Sequence, residues 1–190
     1  MDDRAERILA VAMRLAERDG YDAVRLRDLA AEADVALGTV YKRFKSKEDI
    51  LAAALELQVS RMQDAIRHAE VPGKTAEERL LWFFEVGTRG LGSTPKLTAA
   101  MLRAVASGVP EIAEKVMQFY GRTSEIMIGL IRGAYTDAFP TEDEALLARL
   151  LLNVWFAALV GWTGGMHDLE SVIEQTRSAT KFLIRGMKKR

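Results

Sequence analysis

Apolar residues recur at helical spacing along almost the whole chain, and no stretch alternates apolar and polar residues as a half-buried strand does. A chain patterned in this way has an all-α fold open to it, in which each amphipathic helix buries its stripe against other helices. Glycine, proline and capping residues punctuate the pattern. A first helix is expected over about residues 3–19, with Ile8, Leu9, Ala12, Leu15 and Ala16 on one face and Gly20 as its stop. Two short helices follow, over about 26–33 and 37–44. A longer one starts at Ser46, where Ser46 and Asp49 have capping-box spacing, and Leu51, Leu55, Val59, Met62 and Ile66 mark its buried stripe. Thr75 with Glu78 opens a helix to about residue 90, and Pro95 opens one to about 107. After Gly108-Val109-Pro110 a longer helix is expected to about 138. Thr141 with Glu144 caps one to about 162, and a last helix spans about 169–187. That makes about nine helices.

At 190 residues the chain has room for a small head and a larger body, divided at 1–46, which holds the short helices, and 47–190, whose composition shifts to long apolar helices after Val71-Pro72-Gly73. There is no cysteine, which excludes a disulfide framework, thiolate metal sites and thiol redox sensing, and fits a reducing cytoplasm. The start, Met1-Asp2-Asp3-Arg4, is acidic and lacks the pattern of a signal peptide. The most membrane-like run, 145–162, carries Arg149 and Asn153 and is shorter than a comfortable span of about 20 residues, so it is read as a buried helix, with no membrane partner.

Net charge is zero, but its distribution is uneven. From Val35 to Lys47 there are Lys42, Arg43, Lys45 and Lys47 and no acid, while Glu142, Asp143 and Glu144 cluster elsewhere. Screening confines attraction to about 8–10 Å at physiological salt, so a local basic stripe matters more than the total.

Three short helices in the first 45 residues, the second and third joined by Asp34-Val35-Ala36, form a helix-turn-helix pattern. Asp34 tolerates the left-handed conformation such a turn uses, Ala30 allows close approach, and Val35 can fill the space between the helices. Val40 and Phe44, four apart, point inward, leaving Thr39, Tyr41, Lys42 and Arg43 outward. Tyr41, Lys45 and Lys47 suit phosphate oxygens. Lys42 and Arg43 suit a guanine edge, Thr39 a thymine methyl or a hydrogen bond, and Arg27 a base or a phosphate. Double-stranded DNA is the partner these residue types fit.

The stretch from Ile8 to Leu55, especially Gly20-Tyr21, Leu29-Ala30, Gly38-Thr39-Val40-Tyr41, Phe44 and Ser46-Lys47-Glu48, resembles the head of TetR-family transcriptional regulators. The resemblance implies an all-helical homodimer, usually a repressor, that binds a palindromic operator and releases it when its larger domain takes up a small ligand. Four positions depart from the family's pattern. Asp34 stands at the usual turn glycine, Ala36 and Arg25 at usual Ser or Thr caps, and Arg43 at a common second aromatic. Each missing cap costs on the order of 1 kcal/mol.

In the larger domain Trp155, Leu159 and Trp162, with Ile173, Leu183 and Met187, are expected at a dimer interface, where Gly161 permits close approach. Packing within one subunit is the alternative for each. Trp82, Phe83, Met101, Met117, Phe119, Tyr120, Met127 and Asn153 are candidates to line a pocket for an apolar effector, core packing being the alternative. Residues 97–104, Pro140-Thr141-Glu142-Asp143 and Asn153-Val154-Trp155 resemble the KstR-type branch of the family, actinobacterial repressors of steroid catabolism, which implies a lipid-like inducer such as a steroid or its coenzyme A thioester. Activation of transcription, or control of an efflux or detoxification gene by another apolar molecule, is the alternative. His68 and His167 stand alone, with no metal-ligand spacing, nucleophile elbow or cofactor motif, so neither catalysis nor a cofactor is expected.

Overall fold

The computed structural model describes residues 3–68, 70–136 and 138–187. Among them the chain forms nine α-helices and two single 3-10 turns, with no strand. The helices are α1 (Asp3–Asp19), α2 (Leu26–Glu32), α3 (Leu37–Arg43), α4 (Lys47–His68), α5 (Ala76–Gly92), α6 (Pro95–Val105), α7 (Ala113–Arg132), α8 (Glu142–Thr163) and α9 (Leu169–Met187).

By compactness the helices fall into two units. The first takes residues up to 58 together with 94–119, which are α1–α3, the first part of α4, all of α6 and the start of α7. The second takes 59–93 and the chain from 120 onward. Compactness thus groups the helices otherwise than the chain-order division at residue 46 does.

In the first unit α1 buries Ile8, Leu9, Val11, Ala12, Leu15 and Ala16, and ends at Gly20, whose φ of 84° lies in the left-handed region that glycine enters without a Cβ clash. α6 packs on α1 and buries Leu97, Ala100, Met101, Leu102 and Ala104. Asp34 alone among the described non-glycine residues has positive φ, 51°, as the turn between α2 and α3 requires. The Val35 amide then donates to the Ala30 carbonyl at 3.0 Å and closes the turn. Arg25 and Ala36, at the N-caps of α2 and α3, make no side-chain capping bond, in line with their departure from the expected Ser or Thr. The cap of α4 is half a capping box. Ser46 Oγ accepts from the Asp49 amide at 3.2 Å, but the Asp49 carboxylate reaches one residue further back, to the Lys45 amide at 2.9 Å.

In the second unit Thr75 with Glu78 and Thr141 with Glu144 form complete capping boxes at α5 and α8, as their spacing predicts. The expected extension of the α7 helix to about 138 is corrected, because α7 stops at Arg132. Gly133 follows with φ 75°, and its amide closes the last turn onto the Gly129 carbonyl at 2.8 Å. Arg79 from α5 donates to the exposed carbonyls of Leu130 and Ile131 at 2.6 and 3.1 Å, satisfying acceptors that the helix end leaves without partners. The core gathers Phe83, Phe84 and Trp155 in edge-to-face contact, with ring centroids 5.3–5.6 Å apart. α8 is long and apolar enough to cross a membrane by length and composition. Its residues Leu147, Ala148, Leu151, Leu152, Trp155, Ala158 and Leu159 are buried inside this unit, where α8 packs along α9.

Arg132 gathers the loop that follows it. Its guanidinium donates to both Glu144 oxygens, at 2.9 and 2.8 Å, and to the carbonyls of Ala138 and Phe139 at 2.9 and 3.0 Å. The Arg132 guanidinium first, then the Thr141 amide, holds the Glu144 carboxyl down at about 2, against an ordinary 4.5. Because the folded value lies below the unfolded one, this contribution to stability is complete above about pH 4.5 and is lost as pH falls through about 2. The chain is therefore expected to lose stability across that window. A Glu144→Gln variant should be less stable near neutrality and lose less on acidification, as thermal melts at several pH values would show.

Candidate nucleic-acid interface

The surface of the first unit is built around α3. Val40 is fully buried and Phe44 is 5% exposed, so the two apolar positions four apart seat the helix as the spacing predicts. The opposite side is left outward. Tyr41 is 56% exposed, and Lys42, Arg43 and Lys45 are exposed, while Thr39 is half-buried at the N-terminal end. Arg27, in the first turn of α2, is also exposed. Four of these outward residues are basic and one is an aromatic hydroxyl, the residue types that phosphate contact combined with groove-edge contact uses.

Lys47 is engaged within the unit. Its ammonium lies 3.9 Å over the Tyr21 ring and 3.4 Å from the Asp22 carboxylate, with its side chain 30% exposed. Arg103 from α6 lies 4.0 Å over the same ring and 3.7 Å from Asp22. The Tyr21 hydroxyl donates to the Glu48 carboxylate. Burial first, and then that acceptor, pushes the Tyr21 phenol up to about 12. Burial also works to raise Glu48, but the hydrogen bonds from Tyr21, its own amide and Ser46, with Lys47 nearby, bring its carboxyl below the ordinary value. Lys47 is thus held in a packed polar cluster.

Sequence reasoning missed this cluster. Tyr21 carried only a family resemblance, and Arg103 sits on a helix far along the chain with no local pattern pointing back to the head. It also missed the Asp49 carboxylate, 3% exposed, which pairs with Lys115 of α7, 66 residues away.

The candidate pocket residues are dispersed. In the second unit Trp82 and Phe83 share a cavity of about 190 Å³ with Met62, Ile66, Val86 and Gly87, and Met127 is fully buried. Tyr120 is half-buried, and burial raises its phenol above the ordinary value. Asn153 is exposed, on the outer side of α8. In the first unit Met101 and Phe119 are buried at 1% and 7% exposure, whereas Met117 is 74% exposed. Asn153, a candidate to line the pocket, thus stands on the outward side of α8. The residues turned inward along α8 are at 147, 151, 155 and 158, and 153 falls on the other side.

Part of the stripe expected at a dimer interface is buried inside the chain. Trp155, Leu159 and Ile173 are 5%, 3% and 3% exposed within the second unit, and Trp162 and Leu183 are half-buried. Gly161 makes room for its own chain, since a Cβ there would lie 2.6 Å from the His167 ring. The exposed apolar side of α8 carries Leu146 and Leu150, each 37% exposed, and Val160 at 40%, with Phe182 of α9 at 74%. A cavity of about 330 Å³ lies among Leu146, Leu150, Phe182, Leu183 and Met187.

The chain is similar to known proteins in sequence and fold. Residues 8–54 match the family described as bacterial regulatory proteins, tetR family, and residues 73–183 match the tetracyclin repressor-like C-terminal domain. The HTH-type transcriptional repressor KstR of Rhodococcus jostii is 37% identical over 182 residues, covering 96% of this chain and 83% of that protein. A TetR transcriptional regulator from Rhodococcus sp. RHA1 superposes with a TM-score of 0.84 at 24% identity, covering 95% of this chain and 94% of that one. Thermus thermophilus FadR, a TetR-family transcriptional repressor solved in complex with lauroyl-CoA, superposes with a TM-score of 0.74 at 19% identity over 96% and 94% of the two chains.

Proposed function

The chain belongs to the TetR family of bacterial regulatory proteins, and from that premise we propose that it is a homodimeric repressor released from a palindromic operator by an apolar, lipid-like effector. The observation that carries the DNA-binding part is the outward side of α3, where Tyr41, Lys42 and Arg43 stand exposed in a stretch from 35 to 47 without an acid. Tyr41, Lys45 and the amides nearby are assigned to phosphates, and Lys42, Arg43 and Thr39 to base edges. Arg27 reaches from α2, and Lys47 contributes from its cluster. Two copies related by a two-fold axis present two such helices to half-sites about one turn of DNA apart.

The effector is assigned to the second unit, where aromatic and aliphatic residues around Trp82 and Phe83 line an apolar cavity of about 190 Å³, room for part of a hydrocarbon body. A lipid acyl thioester or a steroid is the ligand class supported by likeness to a KstR repressor and by the fold shared with a repressor solved with lauroyl-CoA. A regulator of this kind works in the cytoplasm, where its DNA is.

Fluorescence anisotropy with the DNA flanking the protein's own gene tests this reading. Specific binding should weaken steeply with salt, as counterion release demands, and Tyr41→Ala or Arg43→Ala should each weaken it about tenfold or more. Salt-insensitive binding by a folded sample, or none, would count against it. Acyl thioesters and steroids screened by thermal shift should include one that stabilises the chain by about 2.7 kcal/mol at a hundred times its Kd, and that compound should release the DNA.

A further inference from the structure

The unit that carries α3 also holds the first turn of α7, a piece of chain remote in sequence. From that turn Lys115 reaches the Asp49 carboxylate. Asp49 is 3% exposed and uses its two oxygens differently. Oδ1 accepts from the Lys115 ammonium, and Oδ2 accepts from the Lys45 backbone amide at 2.9 Å. Lys45 is two residues beyond the end of α3, and the Phe44 amide between them still bonds to the Val40 carbonyl at 2.8 Å. One buried carboxylate therefore fixes the path by which the chain leaves α3. The first turn of α4 supplies part of the compensation for its charge, and Lys115 supplies a cation directly on it.

From this geometry we infer that Lys115 is a positioning residue for DNA recognition, acting through Asp49 on the backbone at the end of α3. The inference rests on the DNA-binding reading above. With Lys115 removed, a buried carboxylate has lost its counter-charge and turns toward water. The Lys45 amide then loses its acceptor, and Lys42, Arg43 and Lys45 lose the fixed base from which they reach a groove. Lys115 does this without touching phosphate, and that separates it from the basic residues of α3.

Operator binding by full-length Lys115→Met, measured by anisotropy over a range of salt at a temperature where circular dichroism shows it folded, is the test. Affinity is expected to fall about tenfold while the slope of log affinity against log salt stays unchanged. Lys115→Arg should restore affinity, and Lys45→Ala should reduce the slope by roughly one counterion. Unchanged affinity in Lys115→Met overturns the inference, and so does a slope that falls by about one, which would make Lys115 itself a phosphate contact. Should Lys115→Met fail to fold, hydrogen exchange of the Lys45 amide in the unaltered chain decides. Protection supports the inference, and exchange at the rate of an open loop overturns it. A protected amide in a chain that binds no operator would instead overturn the DNA-binding reading.

Discussion

Replacing Trp155 by alanine is expected to cost about 3–5 kcal/mol of unfolding free energy, the range for removing a large buried aromatic. The indole is 5% exposed and packs edge-to-face on Phe83 and Phe84. Its Nε1–H donates to Thr88 Oγ1 at 2.9 Å, and Thr88 is itself fully buried. Its neighbours cannot collapse freely into the space, because they belong to packed helices and Gly87 is already close, with a Cβ there only 3.1 Å from the ring. Trp155→Phe keeps an aromatic ring but leaves the Thr88 hydroxyl without its donor, and should fall between the two. Denaturant melts followed by circular dichroism would measure both. The loss should not depend on protein concentration. A loss that shrank with rising concentration would return Trp155 to a subunit interface, and a change below about 1 kcal/mol would contradict its packing on Phe83 and Phe84.

If the proposed homodimer is joined through the exposed apolar side of α8, Leu150→Arg is expected to convert it into monomers and to weaken operator binding by about a hundredfold or more, since linking two heads makes the second contact intramolecular. Leu150 belongs to the exposed apolar side of α8 and borders the cavity shared with Phe182 and Met187. About a two-fold axis the same residue of both copies approaches the interface, so one substitution places two like charges where apolar surface should be desolvated. Sedimentation would read the change from twice 21.1 kDa to 21.1 kDa, with circular dichroism confirming the fold. A variant that remains dimeric would place the interface elsewhere, and an unaltered chain that is monomeric would remove homodimerisation from the proposed function.

These two substitutions mark where sequence reading succeeded and where it stopped. The helix order, the capping boxes at Thr75 and Thr141 and the left-handed Asp34 were legible, because each depends on a handful of neighbouring residues. α1 and α3 were legible in orientation too, since their apolar residues occupy one side only. The end of α7 was overshot although Gly133 stood in plain view. The residues beyond it keep a roughly helical pattern, and Arg132 binding the later carbonyls is visible only in three dimensions.

The inner side of α8 could not be read locally. That helix is apolar around nearly its whole circumference, so periodicity marks it as a helix without saying which side turns inward. α5 and α9 decide, placing Trp155 and Leu159 inside and leaving Leu146, Leu150, Asn153 and Val160 outside.

By itself the sequence determined an all-helical chain with a helix-turn-helix head, because helix periods, caps and turns are written within a few residues of one another. Only the tertiary structure decided which side of α8 is interior, that Lys47 and Arg103 close on Tyr21, and that Lys115 reaches Asp49 at the end of α3. Those contacts join residues dozens of positions apart. No local preference encodes them, and packing and charge pairing select them only when the distant helices are brought together.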